Sequence, residues 1–376
     1  MTLLNASLNE QPEATAARLQ AVARAEAAAA VASGEADAVG LTGSLSTGRL
    51  WPSSDLDILL PSDLVSRHRF RWTVREGVVI HGVLTPWEPL EALRTGYPDS
   101  FINTAKGEWI LDAVWALDGL LQMVPLQDPE GRLAALRAFA REHRFASEVV
   151  EPRRPLLLDV ARRGCEGAAA RIKEGKPEWA RWSYRQGFEA LGFLWLEAGR
   201  RITSHKELDP VLGEIGVALG EPGLQQAFRR TAGVEGCPER GPAIRDAFAE
   251  LLRLYSPALD SLLKAGEPAN RTLAVELPDF VYARHQILSV AYAVPRGCWL
   301  HLAGLAELLD EAGVAEINFA WLARAAARTG APGIPEERAL LAARDRARTA
   351  LALAPWEDRL AGLRELIALS ERRFGT

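Results

Sequence analysis

Cysteine is scarce: the chain of 376 residues has three, Cys165, Cys237 and Cys298. An odd, widely spaced set excludes a disulfide framework and offers no CxxC-type metal pair, which fits a reducing compartment. Long apolar runs are also missing, so no segment is expected to cross a bilayer. The opening stretch, MTLLNASLNEQPEATAARLQ, has no basic segment followed by an apolar core, so no secretory signal is read there. Its later part is rich in Ala and Arg, as transit peptides are, but Glu10, Glu13 and Glu26 argue for a plain helix. A cytoplasmic location is the expectation. A strong charge of one sign is absent as well. The formal net charge of −5 argues against nucleic acid or an anionic membrane as the main partner, and leaves room for a local basic pocket that takes a nucleotide.

What remains is an ordinary globular composition, 48% hydrophobic and 25% charged, in a chain long enough for two domains. Residues 10–33 are strongly helix-forming, with Gly34 as a stop. ADAVGLTG reads as a short buried strand and DLDILLP as a second, closed by Pro61. HRFRWTVREG and VVIHGVLTP read as an antiparallel hairpin turning at Glu76-Gly77. WEPLEALRTG follows as a helix, and LLQMVPLQ (120–127) as a strand that Pro125 confines to an edge. After Gly131 the texture becomes helical throughout, with segments near 222–232, 243–264, 277–292, 299–313, 315–329 and 335–373. The fold class is therefore α+β: a small mixed sheet with flanking helices over 1–131, then an all-α domain over 132–376.

The segment VGLTGSLSTGRLWPSSDLDILLPSD, Val39 to Asp63, carries the chemistry. On a strand, Asp55 and Asp57 share one face and Leu56 and Ile58 the other. Two neighbouring carboxylates repel unless a cation neutralises them. Mg²⁺ does this while joining one or two carboxylates to substrate phosphates. Gly43 lets backbone approach an anion closely, Ser44 offers a hydroxyl, SLSTGRL can begin a short helix, and Arg49 can meet phosphate oxygens in two places.

These residues resemble the DNA polymerase beta-like nucleotidyltransferase superfamily. Its pattern is an apolar position, Gly, Gly or Ser, some ten residues, then Asp, apolar, Asp or Glu, apolar. Gly43-Ser44, the ten residues Leu45 to Ser54, and Asp55-Leu56-Asp57-Ile58 reproduce it, with Thr42 a weak apolar position. The helix before and the hairpin after extend the likeness over residues 10–131. The strand and helix of LLQMVPLQDPEGRLAALRA are similar to the kanamycin and aminoglycoside nucleotidyltransferase branch. The resemblance implies Mg²⁺-dependent transfer of a nucleoside monophosphate from a nucleoside triphosphate, with ATP the first choice, and release of pyrophosphate. It implies that Gly43 and Ser44 hold the triphosphate, with Arg49 beside them, and that Asp55 and Asp57 ligate the metal.

The family's third carboxylate is not matched: the aligned position holds His81. Three readings stand. His81 takes the acceptor's proton, as imidazole can near neutral pH; or a carboxylate elsewhere replaces it, from Glu76, Glu88, Asp112, Glu148 or Glu151; or the chemistry is lost and nucleotide binding kept, as in a regulatory or toxin–antitoxin-like relative. The acceptor stays open between a small-molecule hydroxyl, a protein side chain and an RNA end, with overall acidity favouring a cationic or neutral small molecule. For an aminoglycoside, Glu148, Glu151, Asp159 and Glu166 could line an acidic groove, and a homodimer is left open. Blander readings stand beside these. Ser46 and Thr47 cap the short helix; His68 and His143 are surface residues; RRITSHKELDP is a solvated turn with Ser204 as cap. Tyr184, Phe188, Leu191 and Trp195 are core, and Trp51 is one of several tryptophans able to stack on a base.

Overall fold

The structure, a computed structural model, describes residues 12–48, 50, 54–75, 78–105, 117–264, 271–309 and 319–375. It separates into two compact units, residues 1–160 and 161–376, and the division falls inside the helix Ser147–Lys173. Among the described residues no helix is long and apolar enough to cross a membrane.

The first unit is a mixed α/β unit built on one five-stranded sheet of order β3-β4-β2-β1-β5. Its strands are β1 (Val39–Thr42), β2 (Leu56–Ser62), β3 (Arg69–Arg75), β4 (Val78–Pro86) and β5 (Val124–Gln127). β2 and β4 are parallel; the β1–β2, β1–β5 and β3–β4 pairs are antiparallel. The hairpin expected around residues 76–77 closes with Arg75 opposite Val78, although Glu76 and Gly77 themselves lie outside the described residues.

Helix α1 (Pro12–Ala32) covers one face of this sheet. Pro12 suits a first turn, whose N–H groups have no partner inside the helix, and Gly34 at φ +71° ends the helix in a left-handed turn. Leu19, Val22, Ala23 and Ala27 of α1 pack on Leu41, Leu56, Ile58, Leu60 and Ile80, all at least nine-tenths buried. Edge strand β3 is tied to the same helix by charge. Arg71 pairs with both Glu26 and, at 2.6 Å, Glu35, while Arg75 reaches Glu26 at 3.0 Å.

On the opposite face the buried apolar cluster among the described residues lies at one end. There Ala38, Met123, Leu133 and Leu136 pack with Trp87 and Leu90 of the helix Trp87–Thr95. Gly40 makes this possible: a Cβ there would stand 2.3 Å from the sulfur of Met123. The strand expected over 120–127 is shorter than read, because Leu120 to Gln122 belong to a helical stretch and pairing begins at Val124. Pro61 does not close β2 but lies within it, opposite Thr85. Pairing with β1 ends at Leu59, so the missing proline N–H costs that ladder nothing.

The second unit is helical. The expected stripe on the helix Pro177–Ala198 is core, with Tyr184, Leu191 and Trp195 buried and Phe188 half-buried. Residues 335–373 are two helices, Glu337–Leu351 and Trp356–Phe374, separated before Pro355. Arg240 donates to the carbonyls of Ala350 and Ala352 at 3.1 and 3.2 Å, satisfying groups at the end of the first. The segment read as a solvated turn holds a buried carboxylate. Asp209 is fully buried and accepts from Arg229 Nε (2.9 Å), Gln225 Nε2 (2.9 Å) and the backbone N–H groups of Trp299 (2.8 Å) and Leu300 (3.2 Å). Burial pushes its carboxyl above the ordinary range, and the Arg229 guanidinium opposes this. One side chain thus ties the helices Leu208–Ala218, Leu224–Ala232 and Trp299–Leu308 together.

Removing it leaves a guanidinium and two N–H groups buried without their acceptor. Asp209→Ala is expected to cost about 3–5 kcal/mol in denaturant unfolding, and Asp209→Asn, which keeps one acceptor oxygen, clearly less. Equal losses from the two substitutions would mean the carboxylate matters only as volume.

Candidate functional site

The site begins where β1 ends. Thr42 is extended (φ −121°, ψ −169°), and Gly43 at φ +69° then turns the chain into the short helix α2 (Gly43–Thr47). A positive φ of this kind favours glycine. α2 is anchored by buried Leu45 and ended by Gly48, also left-handed. Ser46 and Thr47 do not cap its start. Their hydroxyls donate backward to the carbonyls of Gly43 (2.8 Å) and Ser44 (3.0 Å), tightening the single turn.

Asp57 is the neighbour of this turn. It is opposite Thr42 on β1 and alongside His81 on β4, so all three lie on the face that α1 does not cover. A Cβ on Gly43 would stand 2.1 Å from Asp57 Oδ2, so the carboxylate rests directly against the glycine Cα. Its other oxygen, Oδ1, is 3.4 Å from His81 Nδ1. The two side chains keep 31% and 26% of their surface, so both are open to a ligand. Asp55 differs from its expected setting: β2 begins at Leu56, and Asp55 precedes it as a half-buried residue with no bond to a described residue. Ser44 is likewise half-exposed, and its hydroxyl bonds to no described residue. Arg49 and Trp51 lie outside the described residues.

No third acid joins this pair among the described residues, where no group of three or more His, Cys, Asp or Glu could hold a metal ion. Glu76 and Asp112 lie outside them, and Glu88, Glu151, Asp159 and Glu166 are exposed. Glu148 accepts the Tyr97 hydroxyl at 2.8 Å. Its own backbone N–H and that hydroxyl hold its carboxyl below the usual range, while burial and Glu148 push Tyr97 up to about 12. His68 is exposed, as read, and bonds Thr85, whereas His143 is half-buried and packs on Tyr97 and Phe139 with ring centres 4.5 and 4.4 Å away. Sequence reading passed over Phe70. Its ring stacks on His81, 5.8 Å between centres and 21° between planes, yet it is 70% exposed. The signal was the alternation of Arg69, Arg71 and Arg75 with apolar residues, which sends Phe70 to the face opposite the arginines.

No protein-family model matches the chain, and comparison with curated proteins finds no match.

Chemically, the donors fit Mg²⁺ only as part of a larger set. Asp55 and Asp57 supply carboxylate oxygens, imidazole suits Mg²⁺ poorly, and the remaining positions would fall to phosphate oxygens and water. The seating of Asp57 on Gly43 is testable without any ligand. Gly43→Ala is expected to cost on the order of 1–2 kcal/mol from its positive φ, and more because the new methyl displaces Asp57. In an Asp57→Gly background the second part should vanish, so chemical denaturation of the four proteins yields a coupling energy. Additive costs would mean the two residues are not in contact.

Proposed function

We propose that this chain is a two-domain nucleotidyltransferase of the DNA polymerase beta-like kind, transferring a nucleoside monophosphate from a triphosphate, ATP first, to a hydroxyl of a small-molecule acceptor. The observation that carries the reading is the seating of the Asp57 carboxylate on the Cα of Gly43, with His81 Nδ1 3.4 Å from its other oxygen. The mixed sheet, with β2 parallel to β4 and antiparallel to β1, agrees with such a domain. In this reading the Gly43-Ser44 turn receives the β- and γ-phosphates. Glycine supplies close approach, and the Ser44 hydroxyl donates to a phosphate oxygen. Asp55 and Asp57 would hold Mg²⁺, which when bound would offset charge on the phosphates.

His81 would serve the acceptor. A proton on Nδ1 directed at Asp57 leaves Nε2 with its lone pair, and Nε2 takes the acceptor's hydroxyl proton. The acceptor oxygen bonds to the α-phosphorus as the bond from that phosphorus to the α,β-bridging oxygen breaks. Pyrophosphate departs with the electron pair. Asp57 would thus act twice, toward the metal and as the group that orients His81.

A second reading rests on the same place: with no third acid among the described residues, the chain binds nucleotide without transferring it. Labelled ATP, GTP, CTP and UTP, each with Mg²⁺ and a mixed panel of aminoglycoside, lincosamide and simple sugar acceptors, separate the two. The transferase reading expects pyrophosphate release with at least one pair, loss of it in Asp57→Ala, and a fall of about 10²–10⁴-fold in His81→Ala. Silence across the panel with retained nucleotide binding would select the second reading.

A further inference from the structure

We propose that Phe70 forms the acceptor-binding surface of this site, stacking on the face of a ring that carries the hydroxyl to be modified. The inference rests on the transferase reading above and adds the class of acceptor, a ring-borne alcohol. Across the sheet the order is β3-β4-β2-β1, so Phe70, His81, Asp57 and Thr42 stand on successive strands. Strands are spaced about 4.8 Å apart and rise about 3.3 Å per residue, and Phe70 pairs with Val83, two residues along β4 from His81, which sets Phe70 roughly 12 Å from Asp57, on the side away from Gly43 and Ser44. Phosphates bound at the Gly43-Ser44 turn lie toward β1. The group that takes the acceptor's proton is His81, between Asp57 and Phe70. An acceptor that touches His81 therefore arrives from the β3 side, where Trp72 pairs with His81 and Phe70, two residues along the strand, stacks on its ring.

That surface is unusual in its own right. Leu64 and Val217 are also exposed apolar residues, 80% and 73%. Single exposed apolar side chains are common and need no explanation by themselves. Phe70 differs because one part of its ring is held against His81 while 70% of the residue stays open. Its backbone is fixed by the neighbouring Arg71, which on the other face is bound to Glu26 of α1 and to Glu35 just beyond that helix. An aromatic ring held in this way presents a flat, weakly negative face at low entropic cost. Such a face attracts the C–H side of a sugar ring or the plane of an aromatic one. It offers nothing to a flexible, ring-free alcohol.

Saturation-transfer NMR on the full chain tests this with methyl β-D-glucopyranoside and benzyl alcohol as ring probes and glycerol as the ring-free control. Samples contain Mg²⁺ and a non-transferable ATP analogue, whose adenine signal reports nucleotide binding in the same tube. The expected result is saturation of at least one ring probe but not glycerol. Its binding should be roughly tenfold weaker in Phe70→Ala and Phe70→Leu and retained in Phe70→Tyr, with unchanged melting temperatures and an unchanged adenine signal. No ring-probe binding by the wild type, or equal binding by Phe70→Leu, overturns the proposal. A missing adenine signal counts against the nucleotide reading, and the ring-probe comparison still decides the role of Phe70.

Discussion

The contact between the Cα of Gly43 and the Asp57 carboxylate governs this site. It needs three things at once: a residue without a side chain, a backbone turned to positive φ, and a register that sets Thr42 opposite Asp57. Each is supplied by a different part of the chain. Glycine is local. The turn follows from glycine and is closed by the hydroxyls of Ser46 and Thr47. The register comes from the buried partners of β2, since a slip by one residue would turn Leu56, Ile58 and Leu60 away from α1. The hydrophobic core and the acid's position are therefore one constraint, and the site cannot drift without exposing the core.

The same sheet divides its labour by face. On one side alanines let α1 lie close, and Glu26 and Glu35 hold the arginines of the edge strand. On the other side, among the described residues, helices pack at the end around Gly40, and Asp57 and His81 keep part of their side-chain surface exposed. A histidine in place of an acid beside Asp57 changes the electrostatics there. Two carboxylates so close would repel, whereas a carboxylate and an imidazole can share a proton. That lets Asp57 sit against a protein partner on one oxygen and keep lone pairs for another ligand.

Much of this was legible in the sequence because it depends on near neighbours. The first helix, the hairpin and the two central strands follow from periodicity and from the stops at Gly34 and residues 76–77. The pairing of Gly43 with Asp57 was legible only through the ten-residue spacing between Gly43-Ser44 and Asp55-Leu56-Asp57, since nothing local brings them together. Asp209 was not legible at all. Its partners stand 16, 20 and 90 residues away, and Asp-Pro beside a helix start looks the same whether buried or solvated. Asp55 was read one residue too far into the strand, because the run DLDILL gives no sign of where pairing with β4 begins. The break before Pro355 had a signal that was passed over, a proline followed by Glu357 and Asp358, which suits the start of a helix rather than its middle.

The account stands or falls on whether Asp57 and the glycine turn together take a metal-bearing triphosphate. Titration calorimetry of the intact chain with ATP, run with Mg²⁺ and again with a chelator, measures this directly. The account predicts saturable binding that requires Mg²⁺ and is lost in Asp57→Asn, a substitution that keeps the shape and removes the charge. Binding that is indifferent to both metal and substitution, or no binding of any of the four nucleoside triphosphates, would contradict it.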